Sequence, residues 1–138
     1  MPLDQSLTQT LSGRTFPAIE PYEVCAEKIA EFARATGSEY DGRAAPATFP
    51  IVVAFAAMTA MMADPDAGIA LHRVVHGEQR FQYTRPVVPG DRLTASLTVE
   101  SVRVVGGAEI IGTRSEITAA DGGHVCTAFA TLMHRAES

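Results

Sequence analysis

The sequence is poor in cysteine, in lysine and in long apolar runs, and each shortage removes a class of protein. Cys25 and Cys126 are its only cysteines, and neither lies in a CxxC pair or beside a histidine at metal-ligand spacing. A disulfide scaffold, a dithiol redox centre and a structural zinc site are thereby excluded; the two read as buried free thiols of a reducing compartment. Lys28 is the single lysine, and with ten scattered arginines it stands against 16 acidic residues, giving a net charge of −5 and a pI near 5.3. No basic stripe is available for nucleic acid. The longest apolar stretch, Phe49 to Ala63, falls short of the roughly 20 residues that cross a bilayer. No basic segment followed by an apolar run opens the chain, so no signal peptide and a cytoplasmic location are expected. There is no Gly-x-Ser-x-Gly elbow, phosphate loop or dinucleotide fingerprint, and no cofactor or metal is expected.

What is present fits one domain, residues 1–138, long enough to bury a core without covalent staples. Apart from a few residues at each end, nothing reads as low-complexity. Arg14-Thr15-Phe16 is a short edge strand stopped by Pro17. Glu23 to Ala35 reads as an amphipathic helix, with Cys25, Ile29, Phe32 and Ala33 on one stripe, Pro21 at its start and Gly37 just past its end. Thr48 to Ala63 is apolar on every side. A helix of that kind must be wrapped by other structure; Thr48 caps it and Pro50 falls in its first turn, where a missing N–H costs nothing.

Beyond Gly68 the period changes to two. Val74-Val75, Gln79, Phe81 and Tyr83 form one strand region; Leu93, Ala95, Leu97 and Val99 begin another, whose phase slips at Glu100-Ser101, as at a bulge. Gly106-Gly107 and Asp121-Gly122-Gly123 are turns. They bound a strand from Ile110 to Thr118, with Gly112 inside it, and a last strand from Val125 to Met133. A curved antiparallel sheet wrapped around one buried helix satisfies both patterns, an α+β hot-dog fold. One such layer leaves sheet edge and apolar surface open, so two hot-dog subunits are expected to pair, as homodimer or heterodimer.

Three residue groups carry a family resemblance: the block Val75-His76-Gly77-Glu78-Gln79-Arg80-Phe81 running on to Pro89-Gly90-Asp91-Arg92-Leu93, the stretch Ala45-Pro46-Ala47-Thr48-Phe49-Pro50, and the opening Gly13-Arg14-Thr15-Phe16 with Pro21-Tyr22-Glu23-Val24. Together they resemble the MaoC-like dehydratases, in particular the small N-terminal-type domain of (R)-3-hydroxyacyl dehydratase subunits. The resemblance implies dehydration of a (3R)-hydroxyacyl thioester, on coenzyme A or an acyl carrier protein, to the trans-2-enoyl form, or the reverse. It also implies an Asp/His pair in an Asp-x-Asn-x-x-His-like loop before the central helix, exchanging protons with substrate. The thioester carbonyl would lie at that helix's N-terminus, among its N–H groups.

This chain departs from that pattern. The loop from Ser38 to Ala45 is short, and Asp41 is followed by Gly42, Arg43, Ala44, Ala45 and Pro46 with no histidine. Asp41 and His76 are the catalytic candidates that remain. Thr48, Phe49, Ile51, Phe55, Met58 and His76 are the candidates for substrate binding, with Met58, Met61 and Met62 able to floor an acyl tunnel. Asp91 fixes a turn and is a possible partner of Arg85, while His124 and His134 read as exposed. Three functions follow: a dehydratase subunit of fatty-acid or polyketide biosynthesis, paired with a hot-dog chain that supplies the Asp/His dyad; a self-sufficient dehydratase or thioesterase; or a non-catalytic module that binds acyl thioesters. An acidic carrier protein can dock on a local arginine patch whatever the net charge.

Overall fold

The structure, a computed structural model, describes residues 11–135; the few terminal residues set apart above lie outside that span. The order is β1 (Tyr22–Glu23), α1 (Ala26–Thr36), α2 (Ile51–Ala63), a 3-10 turn at Leu71–Arg73, then β2 (Val74–Tyr83), β3 (Arg92–Val105), β4 (Ala108–Ala119) and β5 (His124–Arg135). The strands form one sheet in the order β1-β3-β4-β5-β2, antiparallel at every junction. With α2 laid across its concave face, this is the hot-dog arrangement.

The alternation of β3 explains the packing. Leu93, Ala95, Leu97 and Val99 all turn inward and are at most 1% exposed. Ile111 and Ile117 from β4 and Ala128, Ala130 and Leu132 from β5 continue that layer. Against it α2 buries Val53, Ala54, Ala57, Met58, Met61 and Met62. The alanines on both sides let helix and sheet approach closely, where apolar burial stabilises by about 25 cal/mol per Å². The slip at Glu100 is a bulge: Val99 pairs Thr113, and the next paired residue is Ser101, opposite Gly112. The bulge sends Glu100 outward, where its carboxylate meets Arg114 at 2.7 Å.

Several expectations need correction. The first helix begins at Ala26, because Tyr22 and Glu23 instead pair with Leu93 and Arg92, and Val24 exchanges backbone hydrogen bonds with Gly90 and Asp91. Cys25 is therefore the extended residue before the helix and is exposed; only Cys126 is a buried thiol. Gly37 does close the helix, in the left-handed conformation (φ +71°), with Ser38 N–H reaching back to the Ala33 carbonyl. Arg14-Thr15-Phe16 runs along β3 but contributes only one bridge, Thr15 to Thr98. Thr48 does not cap α2: residues 47–50 form a turn, and Pro50 is the capping position.

The central helix is also not wrapped on all sides. Phe55, Ala56, Thr59, Ala60 and Ala63 are exposed, a stripe at helical spacing that nothing in the described chain covers. No helix among the described residues is long and apolar enough to cross a membrane.

Candidate functional site

The loop that leads into α2 is strapped down at both ends. Ala45 N–H donates to the Val87 carbonyl at 2.8 Å, and the Tyr83 hydroxyl, at the end of β2, donates to the Ala47 carbonyl. Burial pushes the Tyr83 phenol well above its ordinary range, so it stays a donor at any physiological pH. Between loop and strand end lies an open pocket of about 380 Å³ lined by Ala45, Ala47, Tyr83, Thr84, Arg85 and Pro86.

One wall of this pocket is a fixed turn. Arg85 grips Asp91 with both terminal nitrogens, at 2.9 and 3.2 Å, and the same carboxylate accepts the Val88 N–H at 3.0 Å. The pairing with Asp91 raises the arginine's already high pKa further. The turn and partnership foreseen for Asp91 are thus one device, joining β2 to β3.

At the helix start the amide donors divide. Phe49 N–H is taken by the Pro46 carbonyl at 2.9 Å and Ile51 N–H by the Thr48 carbonyl at 3.1 Å, while Pro50 has none to give. The amides of Ala47 and Thr48 make no hydrogen bond with any described residue. Thr48 is exposed and Ile51 half-buried. Phe49 is fully buried and stands edge-on to Phe32, ring centres 5.3 Å apart. Phe55 is half exposed on the open stripe, and Met58 is buried beneath the sheet.

Asp41 is exposed and accepts the N–H of Arg43, two residues on. His76 is exposed on β2, at the register shift around Gly77, with Gln79 Oε1 2.9 Å from its Nε2. The two are not hydrogen-bonded to each other. Gly77 is not there for space, since a Cβ would lie an ordinary 3.5 Å from the Thr131 carbonyl. His72 contacts the neighbouring Arg73. Among the described residues no group of three His, Cys, Asp or Glu side chains is placed to hold a metal ion.

The two remaining histidines have roles that sequence reasoning missed. His134 is buried, not exposed: its Nδ1 lies 2.9 Å from Glu109 Oε1, and its Nε2 accepts the Ala70 N–H at 3.0 Å. Both residues fall on the inward phase of their strands, in step with Leu132 and Ile111. His124 is exposed, as expected, with its Nδ1 2.6 Å from the Thr84 hydroxyl at the pocket rim.

Residues 10–128 match the family model described as FAS1-like, dehydratase domain region. A UPF0336 protein of Clavibacter michiganensis subsp. michiganensis is 45% identical, over 92% of this chain and 95% of its own. Among solved structures, the C-terminally truncated HadBC (3R-hydroxyacyl-ACP dehydratase) complex of Mycobacterium tuberculosis contains a chain similar at a TM-score of 0.78 and 31% identity, covering 89% of this chain and 96% of that one. A MaoC-like dehydratase aligns at a TM-score of 0.75 and 25% identity, over 94% of this chain but 43% of the longer one.

Proposed function

The chain belongs to the FAS1-like dehydratase family of MaoC-like hot-dog domains, and from that membership we propose that it is one subunit of a (3R)-hydroxyacyl-thioester dehydratase. A second hot-dog chain supplies the Asp/His dyad, and this chain shapes the acyl site.

The observation that carries this reading is the loop before α2. Asp41 is turned to solvent and committed to its own turn, and no histidine follows it before Thr48. Dehydration needs one group to take the C2 proton and another to protonate the leaving hydroxyl, both within hydrogen-bond reach. Two uncovered features support a partner of the same fold. Among the described residues the outer side of β2 carries no paired strand, and the stripe from Phe55 to Ala63 leaves apolar helix surface exposed. The 31% identical chain of the HadBC complex comes from an assembly named as a 3R-hydroxyacyl-ACP dehydratase.

In this assignment Thr48, Phe49 and Ile51 form the helix entrance near the thioester carbonyl, and Thr48 offers the amide that is not already engaged. Phe55 and Met58 line the acyl chain's path, and His76 lies on the exposed strand at the subunit boundary. The substrate is an acyl group on coenzyme A or a carrier protein, and the setting is fatty-acid or polyketide synthesis in the cytoplasm.

The test is hydration of crotonyl and longer enoyl thioesters by the chain alone and with a dyad-bearing hot-dog partner. The expected result is turnover only in the mixture, abolished by replacing the partner's catalytic histidine and retained on Asp41→Asn in this chain. Turnover by the isolated chain overturns the subunit assignment.

A further inference from the structure

Four polar side chains, from two strands and a turn, form one directed hydrogen-bond chain that ends at Thr84, on the pocket beside Ala45 and Ala47. Thr84, just past the end of β2, places Oγ1 2.6 Å from His124 Nδ1. His124, the first residue of β5, places Nε2 2.8 Å from Thr127 Oγ1 and 3.2 Å from Glu116 Oε1 on β4. Thr127 Oγ1 is 2.7 Å from that same Glu116 oxygen.

The directions of these bonds follow from their chemistry. A carboxylate only accepts, so the Thr127 hydroxyl donates to Glu116. Its oxygen is then left to accept from His124, which places the imidazole proton on Nε2. Nδ1 carries a lone pair, and the short contact there is the Thr84 hydroxyl donating to it. The other Glu116 oxygen lies 3.0 Å from Arg114 Nε, which helps to hold the carboxylate in place. A hydroxyl, an imidazole accepting its proton and a carboxylate that fixes the imidazole, here through the Thr127 hydroxyl, is an arrangement that activates an oxygen nucleophile.

We propose that Thr84, His124 and Glu116 form a second reactive site in this chain, one that hydrolyses acyl thioesters through an acyl-threonine intermediate. The surroundings fit that substrate class. Thr84 lines a pocket of about 380 Å³ whose other walls include Ala45, Ala47 and Pro86, apolar enough for a short acyl chain. The Ala47 amide, with no partner among the described residues, belongs to a residue lining that pocket and is a donor for the oxygen of a tetrahedral intermediate. The Arg85–Asp91 clamp immediately after Thr84 holds the nucleophile's turn rigid.

The chemistry balances without a further reactant other than water. Thr84 Oγ1 adds to the thioester carbonyl carbon as its proton passes to His124 Nδ1. The C–S bond then breaks, and that proton goes to the departing sulfur, releasing a thiol and leaving an ester on Thr84. Water attacks the ester carbon and gives a proton to Nδ1. Cleavage of the C–O bond frees the carboxylic acid and returns the proton to Thr84. Glu116 touches no reacting atom and is a positioning residue.

The test uses the full chain with saturated thioesters, acetyl- and butyryl-coenzyme A, and follows thiol release. These substrates contain no double bond to hydrate, so the outcome is independent of the dehydratase reading. Thiol release above the spontaneous rate is expected, falling at least about 100-fold in Thr84→Ala and in His124→Gln. Thr84→Ser should retain it with an unchanged melting temperature. Glu116→Gln should lower kcat while leaving KM in place, a split that general loosening of the strand would not produce. Peptide mass spectrometry after brief exposure to p-nitrophenyl acetate should find the acyl group on Thr84. No release above background, or release that survives Thr84→Ala, overturns the proposal.

Discussion

Glu109 and His134 face each other across β4 and β5 with Oε1 2.9 Å from Nδ1, and only about a tenth of either side chain reaches solvent. Because the Ala70 amide donates to Nε2, the ring proton sits on Nδ1 and is given to the carboxylate. One imidazole thus ties two strands to the segment leading into β2.

Removing either partner should therefore strand the other, so the two losses should not add. His134→Leu leaves a buried carboxylate and the Ala70 amide without their partner, and a loss of about 3–5 kcal/mol is expected in urea unfolding. Replacing both residues by leucine should lose clearly less than the two single changes added together, since no charge then stays buried. Additive losses would mean that the pair is not coupled.

The Arg85–Asp91 clamp makes a second prediction. Asp91→Ala removes two charged hydrogen bonds and the acceptor for Val88 N–H. A loss of about 2–3 kcal/mol is expected from chemical unfolding, together with faster amide exchange at Val88. A stability unchanged within error would reduce the clamp to a surface contact.

Alkaline pH should weaken the fold through Cys126. Burial pushes this thiol up to about 11 from an ordinary value of 9.0. The folded form therefore holds its proton where the unfolded chain has lost it. Stability is complete below the unfolded value and falls as pH rises from about 9 through about 11. Burial acts on Tyr83, paired with Cys126 across the strands, in the same direction. Unfolding midpoints from about pH 8 to about pH 11 should drop less in Cys126→Ala than in the parent chain. In the native protein Cys25 should react with Ellman's reagent and Cys126 should not.

Gly112 lies opposite the bulge in β3. A Cβ there would come within 2.8 Å of Ser101 Oγ, closer than a carbon of that kind approaches another heavy atom. Gly112→Ala is expected to destabilise by about 1–3 kcal/mol, and Ser101→Ala in the same molecule should recover most of that. If the second change restores nothing, the strain lies in the backbone.

Much of this architecture was legible from periodicity. The inward set of β3 and the slip at Glu100-Ser101 each have one physical solution, and the structure adopts it. Tyr22–Glu23 escaped because two residues have no period, so the helical pattern beyond them extended too far back. The exposed stripe on α2 escaped because an all-apolar composition does not say which side of a helix the sheet covers. His134 and Glu109 carried a usable signal, their phase with Leu132 and Ile111, which outweighs the usual preference of such side chains for water. Thr84 and His124 carried none: 40 residues separate them, and only the closing of β2 against β5 brings them together.

The bare side of β2 also bears on how the protein must be made. Along its 10 residues the groups that point away from β5 have no strand partner among the described residues, with exposed Val75 beside exposed Met133 at one end. An unsatisfied strand of this length is a template for misassembly. Copies produced without whatever covers that edge are exposed to aggregation and to proteases.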